Sequence, residues 1–398
     1  MNWKAANATS LSVGLHAPPA NGISVFVLID ALGWKFIENS PFLREELPFR
    51  RPLRTVLGFS SGAIPSMLTG TTPAQNGHWN LFYYDPAGSP FRWLRHFRFL
   101  PRAVLDHRIF SKIVKEIGRR ILGLGSLFDC FVRPSLLPWF NWVETRNIYA
   151  RCGIGCTPSV FDLLDEKGVA HKIYSYHEFN DDEILRQSKR DVESGAGRFF
   201  FLYLSELDMV LHHHAAASGP VEARLKWYAE GLSAVFDAAR ARDPNATFVV
   251  TSDHGMAEVQ SRFDLVAEIE SLGFSMPGDY LAVYDSTMAR YWFFNPRARG
   301  VIQSRLATLS CGRILSDAEL QSLGILFDDY RFGQTIFLLN PGCLIAKSDF
   351  NGAGWHPSGM HGYHPDDPDS DAVFLSNRQF ASNPRSITDV YRCMQEVI

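Results

Sequence analysis

The chain has 398 residues, 46% hydrophobic and 20% charged, with a net charge of −3. That balance supplies a substantial core and gives no global reason to expect a nucleic-acid partner. No apolar run reaches the roughly 18 residues needed to span a bilayer. The opening MNWKAANATSLSVGLHAPPA lacks a signal-peptide core and is broken by Pro18 and Pro19. A cytoplasmic protein, with room for peripheral membrane association, is the expectation. The six cysteines (Cys130, Cys152, Cys156, Cys311, Cys343, Cys393) show no pairing rhythm and read as reduced thiols.

In chain order, the first strong element is Ile23–Ile29, a continuous β-branched run of the kind found in a parallel sheet covered on both faces. It ends at Asp30. The segment Gly58–Gly70 (GFSSGAIPSMLTG) begins with small residues that permit a tight turn, and Ile64, Met67 and Leu68 then suit a buried helix. Ser60 or Ser61 at its head has two readings. Either one caps the helix, or it is a nucleophile beside N–H groups that can hold a phosphate. Asn76, just before Gly77, reads as a turn residue or a substrate contact.

Residues 85–150 are rich in Phe, Trp, Pro and Arg, without a strand pattern, and read as a helical insertion. Between Arg92 and Arg120 stand nine Lys/Arg against two acids, interleaved with Phe97, Phe99 and Phe110. Such a segment suits a lid for an anionic amphiphile or an anionic membrane surface. It equally suits a cap whose aromatics pack inward while its cations face water. Two further strands, Arg198–Leu204 and Thr247–Thr251, end in Ser-Glu-Leu-Asp208 and Ser-Asp253-His254, and a helix is predicted over Val221–Arg242. Residues 258–345, with strands at Leu281–Tyr284 and Ala289–Phe294, read as a small α+β cap. The acidic run His364–Asp371 lacks EF-hand ligand spacing and reads as a solvated turn.

Alternating strands and helices imply a doubly wound, mostly parallel α/β sheet, with ligands gathering beyond the carboxyl ends of the strands. Asp30, Asp208 and Asp253 stand at or just beyond such ends. Asp208 and His212 are four apart and share a helix face; Asp253 precedes His254, and His361 lies in Gly359–Tyr363. Mixed imidazole and carboxylate ligation suits Zn, with Mn or Fe as alternatives.

Ser252–Met256 (SDHGM), Gly359–Tyr363 (GMHGY), Asp208 with His212, and a serine nine residues before Thr69-Gly70 together resemble the alkaline phosphatase superfamily. Within it they resemble the type I phosphodiesterase/nucleotide pyrophosphatase branch, over about residues 23–375 apart from the insertions. The resemblance implies one catalytic domain over 1–398 and a phosphoester hydrolase with Ser60 as nucleophile, Ser61 as fallback. It further implies a phosphoseryl intermediate and two divalent cations, one held by Asp208, His212 and His361. Asp30, Asp253 and His254, with Ser60, would hold the other. A phosphomonoesterase, or a non-catalytic binder of phosphorylated lipid or glycan, is the alternative. This chain departs from the branch at Leu211, where Gly is usual, and at Ala63, where the branch has a phosphate-contacting Asn.

Overall fold

The computed structural model describes residues 22–398 except 122, 124–130, 156, 216–217 and 351–354. Cys130, Cys156 and the stretch read for a leader lie outside the described residues. The chain divides into two compact units. The larger contains the described residues up to Gly77 with Ile148–Val259 and Pro357–Ile398; the smaller contains His78–Asn147 and Gln260–His356.

The larger unit is built on a six-stranded sheet of β1 (Ser24–Ile29), β2 (Phe49–Leu53), β3 (His171–Tyr174), β4 (Phe199–Leu204), β5 (Thr247–Thr251) and β6 (Ala372–Ser376). The spatial order is β2-β6-β5-β1-β4-β3. From β5 through β3 each pair is parallel, and β6 alone runs against its neighbours. Every residue of β1, β4 and β5 is buried, as their unbroken apolar runs predict.

Alternation along β1 divides the core in two. Val25, Val27 and Ile29 pack with residues of the helices Asp181–Ser194, Glu206–His214 and Ser218–Arg242. Phe26 and Leu28 pack on the other face with Ile64, Met67 and Leu68 of α1 (Ser60–Thr69). The doubly wound α/β architecture is therefore present, with helices on both faces. Its register matters for function: Ile29 lies opposite Leu204, and Leu28 opposite Thr251. The three central strands thus end level with one another, and the chain leaves all three on the same edge.

The smaller unit holds an antiparallel sheet with strands in the order Tyr280–Asp285, Met288–Phe293, Thr335–Leu339, Gly312–Ile314. A second ladder pairs Phe82–Tyr84 with Phe140–Trp142. This corrects the strandless reading of residues 85–150; three-residue strands are too short to display a period of two. Phe82, Phe91, Phe140 and Trp142 share one core with Leu281, Val283 and Trp292. The two segments read as separate insertions thus close around a common set of side chains. Trp93, Phe110 and Trp139 pack against that core, while Phe97, Phe99 and Phe131 are exposed.

Candidate active site

The level strand ends of the larger unit bring the acidic residues together. Asp30 follows β1 directly, Asp253 stands two residues after β5, and Asp208 lies in the first turn of the helix α2 (Glu206–His214) that follows β4. His212, one turn after Asp208, places Nε2 3.3 Å from Asp208 Oδ2. His361 follows the short strand Gly359–Met360, which pairs with Ala257–Glu258 and so returns the chain beside the Asp253–His254 turn. Its Nε2 is 3.7 Å from Asp208 Oδ1, and its ring stacks on that of His254 with centroids 3.8 Å apart. His254 Nε2 is 3.3 Å from Asp253 Oδ2 and 3.5 Å from Asp30 Oδ1.

Ser60 is the first residue of α1; the N-cap position is Phe59, whose extended backbone makes no side-chain cap. The Ser60 side chain instead turns to His254, with Oγ 3.1 Å from Nε2. His254 Nδ1 lies 2.9 Å from the carbonyl of Gly255, and that carbonyl can only accept. Nδ1 therefore donates to that carbonyl, and Nε2 faces the serine hydroxyl. His212 is fixed in the same manner, with Nδ1 2.8 Å from the Gly359 carbonyl. Both imidazoles thus point Nε2 at the carboxylates, the orientation metal-binding histidines adopt.

The electrostatics are unbalanced. Burial, then repulsion from Asp253 and Asp208, raises the Asp30 carboxyl well above its ordinary value. Burial also pushes Asp208 upward, but His212, with His361 and His254 behind it, outweighs burial and holds that carboxyl low. Burial and the neighbouring His254 hold His361 far below the ordinary imidazole range. Asp30 Oδ1, Asp208 Oδ1, Asp253 Oδ2 and His361 Nδ1 are buried with no hydrogen-bond partner. Three orphaned carboxylate oxygens on one site are costly unless a cation meets them. Two overlapping groups converge within 4.8 Å: Asp208, His254 and His361, and Asp30, Asp253 and His254. Residues of this chemistry and convergence fit divalent cations. His212 reaches them through Asp208, and His254 belongs to both groups.

Of the residues singled out from the sequence, Asp30, Ser60, Asp208, His212, Asp253, His254 and His361 are assembled here. The triple histidine resolves by burial: His212 is buried, and His213 and His214 are exposed. Ser61 is the second residue of α1 and half-buried. Asn76 ends the short helix Pro73–Asn76 and bonds Ser66 Oγ and the Thr71 carbonyl, both at 3.4 Å. Those contacts are of the kind a turn residue makes. Ala63 is buried in the core beneath α1.

Sequence reading missed the residues that brace the site. The Tyr203 hydroxyl donates to Asp30 Oδ2. Asp181 accepts the N–H groups of Ser205 and Glu206 at 3.0 and 3.1 Å, fixing the start of α2. Thr55 Oγ1 donates to the Asp253 carbonyl at 2.6 Å. Ser252 Oγ donates to the Leu32 carbonyl at 2.7 Å, tying the β5 loop to the β1 loop. In the acidic run 364–371, Asp366 and Asp369 pair with Arg54 and Lys35 at the surface, as a solvated turn would, and its backbone abuts the site: a Cβ at Gly255 would lie 2.2 Å from the Asp369 carbonyl. None of these has a local sequence signal; only strand register brings Tyr203 beside Asp30.

Residues 25–305 match the sequence model of the type I phosphodiesterase/nucleotide pyrophosphatase family. The chain belongs to that family. It is accordingly a phosphoric ester hydrolase of the phosphodiesterase type. No curated protein matches the sequence. Among solved structures, human ectonucleotide pyrophosphatase/phosphodiesterase 5 superposes with a TM-score of 0.66 at 12% identity, over 94% of each chain. An inactive form of the murine protein in complex with AMP gives 0.62 at 14% identity, again over 94% of each. Phosphonoacetate hydrolase from Sinorhizobium meliloti 1021, bound to phosphonoformate, gives 0.64 at 12% identity, over 97% of this chain and 98% of that one. These likenesses carry the fold of the phosphodiesterase family. Among the described residues, no helix is long and apolar enough to cross a membrane.

Proposed function

We propose that this phosphodiesterase family member cleaves small phosphodiesters of the nucleotide pyrophosphatase type with Ser60 as nucleophile. The observation that carries the reading is the Ser60 hydroxyl at the head of α1, 3.1 Å from His254 Nε2, beside three orphaned carboxylate oxygens. Asp208, His212 and His361 would hold one divalent cation, and Asp30, Asp253, His254 and Ser60 a second. The mixed donor set favours Zn, then Mn or Fe. When bound, such ions supply Lewis-acid stabilisation of the attacking and leaving oxygens.

The chain's own residues do the rest. Ser60 Oγ forms a bond to phosphorus while the bond from phosphorus to the leaving alcohol breaks, and that alcohol takes up a proton. A water oxygen then attacks phosphorus, the Ser60–phosphorus bond breaks, and Ser60 regains its proton. The amino end of α1, around Ser60 and Ser61, offers N–H groups and a positive dipole end to the non-bridging oxygens. Tyr203 holds Asp30 in place through the reaction. AMP, the ligand in the murine neighbour, is the class of product that pyrophosphate cleavage of a nucleotide would release.

The test compares bis(p-nitrophenyl) phosphate with p-nitrophenyl phosphate as substrates. Faster turnover of the diester is expected; a preference for the monoester would make the chain a phosphomonoesterase. Ser60→Ala should abolish turnover with bound metal largely in place, and full activity in that variant would pass the role to Ser61 or remove it.

A further inference from the structure

The smaller unit carries a helix, Arg108–Ile121, whose apolar residues outnumber the places available to bury them. Ile109, Phe110, Ile113, Val114, Ile117 and Ile121 recur at three- and four-residue spacing and form one continuous arc. Only part of that arc is covered. Val114 is buried, whereas Ile109, Ile113 and Ile121 are 59%, 52% and 75% exposed. The other side carries Arg108, Lys112, Lys115 and Arg119, and Arg120 stands at the Ile109–Ile113 side of the arc; against the single acid Glu116 the helix has a net charge of +4. Glu116 pairs with Arg119 and Arg120; Arg108 and Lys112 are turned to solvent. Just upstream, Phe97, Phe99 and Val104 are exposed beside the exposed Arg98 and Arg102. Arg95 is excluded from this set. Its guanidinium donates to the carbonyls of Pro86 and Pro138 at 2.7 and 3.0 Å and lies over Trp139.

We propose that the helix Arg108–Ile121, with the preceding Phe97–Leu105 run, docks on an anionic phospholipid bilayer. The exposed isoleucines enter the boundary between headgroups and acyl chains, and the flanking cations meet lipid phosphates. An interfacial helix needs both features on adjoining arcs, and this one has both. A nucleic acid would use the charge alone, because isoleucine offers no ring for a base to stack on. A second copy of the chain would place two strongly cationic helices against each other in a two-fold contact. The proposal is independent of the catalytic reading.

The experiment is co-sedimentation of the full chain with vesicles of phosphatidylcholine alone or mixed with phosphatidylglycerol, at low and high salt. Pelleting with the anionic vesicles, weakened by salt, is expected. Arg108→Glu with Lys112→Glu should lower the partition coefficient about thirtyfold or more, since each basic residue near an anionic surface contributes roughly fivefold. Ile109→Ser with Ile113→Ser should weaken binding even at low salt. All four positions are exposed, so unchanged melting temperatures should show that both variants are folded. Equal pelleting with neutral vesicles, no pelleting with either, or binding unaffected by both double variants would overturn the proposal. So would a dimer in sedimentation equilibrium that the Ile109→Ser/Ile113→Ser variant abolishes, or displacement from the vesicles by a single-stranded oligonucleotide.

Discussion

Each compact unit buries carboxylates, and the two handle the charge in opposite ways. In the smaller unit Asp285 and Arg290 are both fully buried, with Nε to Oδ2 at 2.6 Å and Nη2 to Oδ1 at 3.3 Å. A further guanidinium N–H goes to the Phe82 carbonyl at 3.1 Å, and the cation lies over the Phe82 and Trp292 rings. The Asp285–Arg290 pair has its answer inside the chain. In the larger unit Asp30, Asp208 and Asp253 face histidines, two of them fixed with Nε2 inward, and three carboxylate oxygens have no hydrogen-bond partner. A closed pair of this kind holds a fold together, whereas an open cluster waits for a ligand. The presence of buried charge does not separate structure from function; the orphaned atoms do.

The largest effect that sharpens this contrast lies at the open cluster. Ser60→Ala should lower diester turnover by about a thousandfold or more, read by steady-state assay, with bound metal retained on elemental analysis. Loss of metal together with activity would reassign Ser60 to the cation site alone. At the closed pair, Arg290→Met should cost about 3–5 kcal/mol in urea melts because it strands Asp285, while Arg290→Met with Asp285→Leu should recover most of that loss. No recovery in the double variant would mean that the pair is wanted for more than charge balance.

Next comes Tyr203→Phe. Removing its hydrogen bond to Asp30 should weaken metal affinity about 10–100-fold in a competition titration with a chelating dye. A smaller effect appears in chelator-treated protein. Asp30→Asn relieves burial of a charge and repulsion from two carboxylates, so it should raise the melting temperature by about 2–4 °C, the shift roughly 1 kcal/mol makes in a unit of this size. A lower melting temperature would show that the open cluster is balanced after all.

The smallest effect is at Asp349, in the closed unit. Burial raises its carboxyl from 3.8 to about 6, while its Oδ2 accepts the Tyr284 N–H at 2.9 Å. A raised carboxyl favours the protonated folded form. Its contribution is complete below the unfolded value and is lost as pH rises through about 6. Asp349→Asn should flatten that part of a melting-temperature profile against pH; an unaltered profile would place the titration elsewhere.

Much of the larger unit was legible in the chain because its signals are local. The runs ISVFVLI, RFFFLYL and TFVVT are strands wherever they pack, and a polar residue directly after a buried strand is already a ligand candidate. SDHGM and GMHGY identify their histidines by adjacent glycines. At Gly255 that constraint has a physical cause, since any side chain there would collide with the Asp369 carbonyl. The brace residues were not legible. Tyr203 and Asp30 are 173 residues apart, and Ser252 and Leu32 are 220 apart. The smaller unit was read as two insertions because three-residue strands and scattered aromatics carry no period.

The sequence by itself determined the α/β class, the central strands and the residue types at their carboxyl ends, because hydrophobic periodicity is a property of neighbours in the chain. It also marked Ser60 by its spacing from Thr69-Gly70, though not the choice between a cap and a nucleophile. Only the tertiary structure set Phe59 at the N-cap position and the Ser60 hydroxyl against His254. It also chose His212 among three histidines and joined residues 78–147 and 260–356 around one core. Those outcomes depend on strand register and on side chains meeting across hundreds of residues, and neither is written in any local stretch of the chain.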